Sequence, residues 1–141
     1  MTISEFFTLA KEALAAAPVA KGAYKDGWYY KEAPNFDKSG WKESILITIV
    51  NGSIVDVVWN GIPKDSAKKS KYLESKSGGY KMNAKNGEWF TQAQRVEAAI
   101  VKAGDPSKIA IKSDGKTDAI SGVSITANGV GLAVEALKAA K

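Results

Sequence analysis

Trp41-Lys-Glu-Ser-Ile-Leu-Ile-Thr-Ile-Val50-Asn51-Gly52-Ser53-Ile-Val-Asp-Val-Val-Trp59 is two β-branched runs around an Asn-Gly pair, the strongest short-range signal for a β-hairpin. A two-residue turn sets Val50 opposite Ser53, Thr48 opposite Val55, Leu46 opposite Val57 and Ser44 opposite Trp59. The alternate face then carries Ile45, Ile47, Ile49, Ile54 and Val58 around Asp56. This face is the more apolar and is expected to meet the core. Apolar residues on both faces predict that helices or a loop cover the far side too.

Before the hairpin, the aromatic run Tyr24–Tyr30 reads as a first strand interrupted at Asp26-Gly27. Residues 3–16 read as a helix, with Thr2 or Ser4 as cap, Phe6, Phe7, Leu9, Ala10 and Leu14 at helical spacing, and Pro18 as its stop. After it, residues 61–87 hold seven lysines among few apolar residues. They predict a long, partly ordered loop with a short helix or strand near Tyr80-Lys-Met82. Glu88 to Ala103 is a predicted helix with the stripe Trp89, Ala93, Val96 and Ile100, closed by Gly104 and Pro106. Lys108–Lys112 reads as a short strand leading into the turn Ser113-Asp-Gly115. A last helix is expected over 127–140, with Val130, Val134 and Leu137 inward and Thr126 as its cap. The order is that of an α+β fold, a twisted antiparallel sheet packed against helices. Residues 1–21 form an N-terminal helical extension and residues 22–141 the domain proper.

A chain of 141 residues suits one domain with a real core. It contains neither Cys nor His. That excludes the usual zinc sites, iron–sulfur clusters, Cys- or His-ligated haem, thiol nucleophiles, disulfides and a Ser-His-Asp triad. A redox role therefore calls for an organic cofactor, while a carboxylate-bound hard cation remains open. The net charge of +5 is modest for a nucleic-acid binder. No apolar run is long enough to span a membrane. The opening Met1-Thr-Ile-Ser-Glu5 lacks the basic and apolar regions of a signal peptide.

The most unusual stretch is Lys116-Thr-Asp118-Ala-Ile-Ser121-Gly122-Val123-Ser124-Ile-Thr126-Ala-Asn128-Gly129, a hydroxyl-rich loop entering a helix N-terminus. Unpaired backbone N–H groups and the helix dipole favour a phosphate there, Gly122 permits a tight turn, and Ser121, Ser124 and Thr126 can donate to phosphate oxygens. The same residues also suit a plain capping turn. Two lookalikes fail. Gly115-Lys116-Thr117 lacks the earlier glycine of a P-loop, with Ala110 in its place. Gly129-Val-Gly131 lies inside the last helix, with Val134 where a dinucleotide fingerprint needs its third glycine.

Asp118-Ala-Ile-Ser121-Gly122-Val123-Ser124 resembles the flavinylation motif of the FMN-binding domain family: an aspartate, two residues, Ser or Thr, Gly, usually Ala, then the modified Thr or Ser. That family includes the flavoprotein subunits of sodium-pumping quinone reductase and Rnf complexes, and flavinylated proteins of extracellular electron transfer. Gly40-Trp41-Lys42, Gly79-Tyr80-Lys-Met82, Trp89-Phe-Thr-Gln92-Ala93, Val96-Glu97 and Asp105-Pro106 are similar to it as well, so the resemblance spans roughly residues 22–140. Val123 stands where Ala is commoner and Ser124 where Thr is commoner, which leaves non-covalent FMN as a variant.

The resemblance implies FMN joined by a phosphoester to Ser124, installed from FAD by a separate Mg-dependent flavin transferase. Asp118 would serve recognition by that enzyme, and Ser121, Gly122 and Thr126 would support the phosphate. It also implies a non-enzymatic electron carrier in the cell envelope or outside it, exchanging electrons with partners such as a membrane dehydrogenase. An isoalloxazine needs a flat apolar slot with polar contacts at its edge. Trp59, Tyr80, Met82 and Trp89 are candidates for the slot and Gln92 for the edge, with Trp89 better suited to the core on its helix stripe and Trp59 balanced between core and slot. The lysines between Lys64 and Lys81 suit either an acidic redox partner or a solvated loop. The alternatives are a flavin reductase-like enzyme, for which no nicotinamide-binding feature is visible, and a cofactor-free cell-surface binding module.

Overall fold

The Asn51-Gly52 turn closes with both residues at positive φ, 50° and 75°, between strands β2 (Trp41–Val50) and β3 (Ser53–Pro63). The computed structural model describes residues 2–16 and 21–141. Pairing begins in the expected register, Val50 with Ser53 and Ile49 with Ile54, then slips by one residue so that Thr48 meets Asp56, Ile47 meets Val57 and Ile45 meets Trp59. Val55 is the extra residue of this bulge. A one-residue slip turns the rest of a strand over. Val57 and Trp59 therefore enter the core, while Asp56 and Val58 face solvent. In the unslipped register a carboxylate would have been buried among isoleucines, at a cost of several kcal/mol (roughly 2–7 for an unpaired polar group). The bulge removes that conflict.

β1 (Gly27–Glu32) pairs antiparallel with β2, giving the sheet order β1-β2-β3. It starts after the aromatic run begins. Tyr24 and Lys25 are held by single backbone bonds, Tyr24 N to Gly52 O (3.1 Å) and Lys25 N to Ala140 O (2.8 Å). The core face of the sheet is covered by α3 (Trp89–Ala103) and α4 (Asn128–Leu137), a single α+β arrangement. The expected stripe Trp89, Ala93, Val96 and Ile100 is buried on α3, and Gly104 caps that helix at φ 66°. Trp59 is fully buried. Its ring lies 5.2 Å from that of Trp89, and its backbone N–H donates to Glu97 Oε1 at 2.7 Å. Gly129 of α4 packs directly on the indole, where an added Cβ would sit 2.6 Å from Cδ2.

Four expectations change. The stretch after β3 holds a helix, α2 (Lys71–Ser77), earlier than the element expected near Tyr80-Lys-Met82. Asn60 Oδ1 of β3 accepts from Tyr72 N at 3.0 Å, so its first turn is secured from a strand twelve residues back. The strand expected over Lys108–Lys112 is absent. Pro106–Lys108 winds into a 3-10 turn, with Asp105 Oδ1 accepting from Ser107 N at 3.0 Å. Thr126 does not cap α4; Ala127 occupies that position and no side chain among the described residues caps it. The far face of the sheet leaves Trp28, Tyr30, Leu46, Val50 and Val58 exposed, Trp28 by 78%.

Helix α1 (Ile3–Ala15) forms through a capping box between Thr2 and Glu5. It buries none of its residues, so Phe6, Phe7 and Leu14 all stand exposed. The proposed stop, Pro18, lies outside the described residues.

Two glycines of α4 should respond oppositely to the same substitution. Gly129→Ala should cost about 3 kcal/mol, because neither backbone nor buried indole can yield to the new Cβ. Gly131→Ala meets no atom within 4 Å and should stabilise by roughly 0.5–1 kcal/mol through helix propensity. Urea denaturation of both variants checks the pair.

Candidate functional site

The loop before α4 is amphipathic. Ile120, Val123 and Ala127 point into the core, while Ser121, Ser124 and Thr126 remain exposed. Val123, which departs from the flavinylation pattern, is therefore a core anchor. Gly122 turns the chain at φ 74°. Thr117 holds the loop's entry, its hydroxyl donating to Ala110 O at 2.7 Å and accepting from Ala119 N at 3.0 Å.

Gln92 fixes the segment that carries Ser124. This side chain is fully buried on α3. Its Oε1 accepts from Ser124 N at 2.7 Å, Ile125 N at 3.2 Å and Ser124 Oγ at 3.2 Å. Its Nε2 donates to Gly87 O at 2.8 Å, which fixes the amide orientation. The backbone amides of Ser124 and Ile125 are thus already engaged and do not belong to the unpaired N–H groups that would favour a phosphate. Gln92, expected at a ring edge, is instead the buttress of this loop. The hydroxyl of Ser124 is held yet exposed.

Arg95 adds a second clamp. Its Nη1 donates to Asn86 O at 2.5 Å and to Gly122 O at 2.7 Å, tying two loops to α3. The sequence reading overlooked it. The available signal was that it is the only arginine among twenty basic residues, one turn beyond Gln92 on a helix. Asp118 is 80% exposed at its side chain and pairs with Lys112 at 2.5 Å.

Beside the loop lies an open cavity of about 680 Å³, within the size range of small-molecule sites. Phe36, Asp37, Trp41 and Glu43 line one side, Thr126 and Asn128 with Gly131 and Leu132 of α4 the other, and Lys71 also contributes. Thr126 is thus the only residue of the expected site that reaches it. Trp59 is sealed in the core. Tyr80 and Met82 are half-buried against that core, Tyr80 edge-on to Trp41 with centroids 6.1 Å apart. Met82 N donates to Glu88 Oε2 at 2.6 Å. The bulge carries Trp59 inward, and Tyr80 packs against Trp41 with the Lys71 ammonium 5.5 Å from its ring centroid, so neither lines the cavity.

Glu43 lies on the core-facing row of β2, opposite Gly61, and accepts from Asn128 Nδ2 at 3.3 Å. The indole Nε1 of Trp59 is buried without a partner at hydrogen-bonding geometry among the described residues, though close enough to Glu43 to favour its ionised form. Burial nevertheless raises the Glu43 carboxyl above the ordinary glutamate range, outweighing Lys71, Asn128 and Trp59. Burial also pushes the Lys71 ammonium below the ordinary lysine range, with Glu43 and Asp37 acting the other way.

Fold and site together define one α+β domain in which a buttressed, hydroxyl-bearing loop runs past a cavity into a helix N-terminus. No protein-family profile and no curated protein matches the chain. A Clostridium thermocellum protein solved by NMR as a structural-genomics target is 47% identical, with 82% of this chain and 91% of that one covered and a TM-score of 0.62. The chain belongs to the same family as that protein. A Clostridium perfringens structural-genomics target solved by crystallography shares the fold at 20% identity, with coverage of 84% and 89% and a TM-score of 0.64.

Replacing Gln92 with Leu should strip the Ser124 and Ile125 amides of their acceptor, lowering stability by about 2 kcal/mol and accelerating hydrogen exchange at those two amides. Glu43 generates a pH dependence. Its folded-state pKa lies above its unfolded one, so its contribution is complete below the unfolded value, about 4.3, and is lost as pH rises through the raised value. Urea midpoints across that window should fall less steeply for Glu43→Gln than for the natural chain.

Proposed function

We propose that this domain is a flavoprotein electron carrier that holds FMN through a phosphoester to Ser124. The observation that carries the reading is an exposed Ser124 hydroxyl on a backbone pinned by buried Gln92. It lies two residues before the cavity-lining Thr126. Two residues of chain reach at most about 7 Å, a span that a ribityl chain can bridge. The resemblance of Asp118–Ser124 to the flavinylation motif supplies the chemical identity. Thr126 makes no hydrogen bond among the described residues, and no side chain caps α4, so both have capacity for a polar ligand. Trp41, Phe36 and Leu132 give the cavity apolar walls.

Attachment exchanges the phosphoanhydride bond of FAD for a phosphate ester to the protein. The Ser124 oxygen bonds to the FMN-side phosphorus of FAD, the pyrophosphate linkage breaks, AMP leaves and the hydroxyl proton passes to a base on the transferase. No histidine is present to serve as that base within this chain. Bound FMN would supply reversible uptake of two electrons from a partner such as a membrane dehydrogenase. The protein's share is tethering, orientation and tuning.

A second reading, a cofactor-free binding module, draws on the exposed row Trp28, Tyr30, Leu46 and Val58. Visible absorption after co-expression with a flavin transferase separates the two. Intact mass should show one added FMN on the natural chain and none on Ser124→Ala. An adduct that survives in Ser124→Ala would remove the attachment claim.

A further inference from the structure

Lys71 is the one lysine of the lysine-rich stretch that does not face solvent; its exposure is 6%. The stem crosses Gly61, where even a Cβ would come within 2.8 Å of Lys71 Cβ. The ammonium lies 4.9 Å from the ring centroid of Trp89 and 5.5 Å from that of Tyr80. Two aromatic faces hold the charge in place but do not neutralise it. Among the described residues it makes neither a hydrogen bond nor an ion pair within 4 Å. It lines the same cavity as Thr126 and Asn128.

A lysine taken so far out of water is ordinarily paired, since desolvating an unpaired charge costs several kcal/mol. The carboxylates that share its field are committed elsewhere. Glu43 accepts from Asn128 Nδ2, and Asp37 Oδ1 accepts from Ser39 N at 2.8 Å and Trp41 N at 2.9 Å. Stem, rings and cavity together leave a preorganised cation that lacks a close counter-charge.

We infer that Lys71 is the positioning cation for the pyrimidine edge of the flavin, the part of the ring system on which negative charge gathers when the flavin is reduced. The inference rests on the functional reading above and goes further, because it assigns the residue that tunes the carrier. A fixed cation beside that edge favours the reduced flavin over the oxidised one and so raises the potential. Glu43, opposite Gly61 and within the field of Lys71, acts in the opposite sense.

The test uses the full chain co-expressed with a flavin transferase, as the natural sequence, Lys71→Met, Lys71→Arg and Glu43→Gln. Intact mass and titration with free FMN report loading, near-ultraviolet circular dichroism reports folding, and spectroelectrochemistry reports the two-electron potential. Lys71→Met should weaken binding of reduced relative to oxidised flavin at least tenfold, a fall of about 30 mV. Lys71→Arg should recover most of that fall, and Glu43→Gln should shift the potential upward. A loaded natural chain whose potential is matched by Lys71→Met overturns the inference and leaves the functional reading standing. Should Lys71→Met not fold, a Glu43→Gln potential equal to or below that of the natural chain overturns it. A natural chain that takes up FMN neither covalently nor from solution overturns both.

Discussion

The burial of Trp59 sets the spacing of the whole domain. Its indole fills the space between the sheet and two helices, touching Trp89 of α3 on one side and the bare backbone of Gly129 on the other. It reaches that position only because a bulge at Val55 turns the second half of β3 over. Glu97 then holds the strand from α3 by accepting its backbone N–H. Since α4 is seated on this indole, the loop that precedes α4 inherits its position, and with it the place of Ser124.

That loop is stiffened without losing its exposed hydroxyls. Apolar anchors alternate with polar residues along it, so the core holds Ile120, Val123 and Ala127 while Ser121, Ser124 and Thr126 face outward. Gln92 and Arg95 reach the loop from the same helix and satisfy its backbone from beneath. A buried amide that accepts three hydrogen bonds and donates a fourth has little freedom to move. The arrangement leaves the Ser124 hydroxyl exposed on a fixed backbone, with the Gln92 amide as its side-chain partner among the described residues.

The cavity beside the loop combines apolar walls with a strained polar set. Burial disfavours charge at both Glu43 and Lys71, and the Trp59 indole nitrogen, in the core outside the cavity lining, finds no acceptor at hydrogen-bonding geometry among the described residues. Such concentrations of polar strain cluster at functional sites. The relative from Clostridium thermocellum, at 47% identity over most of both chains, shares this fold.

The sequence by itself determined the elements whose signals are local. The hairpin followed from Asn51-Gly52, helix α3 from its four-residue stripe and Gly104, and α1 from Thr2 and its apolar period. The hydroxyl-rich turn at Asp118–Ser124 leading to a helix was equally legible, because hydroxyls, a glycine and the helix are close along the chain. Tertiary structure alone decided what depended on distant partners. The bulge answers a conflict between Asp56 and a core assembled from other elements. Helix α2 is secured by Asn60, and Gln92 meets a loop 32 residues away. The cavity walls come from the β1–β2 connection, β2, α2 and α4 at once. Lys71 looked like one more surface lysine until folding laid its stem over Gly61 and closed two aromatic rings around its charge, because spacing along a chain records neighbours in sequence and burial is set by neighbours in space.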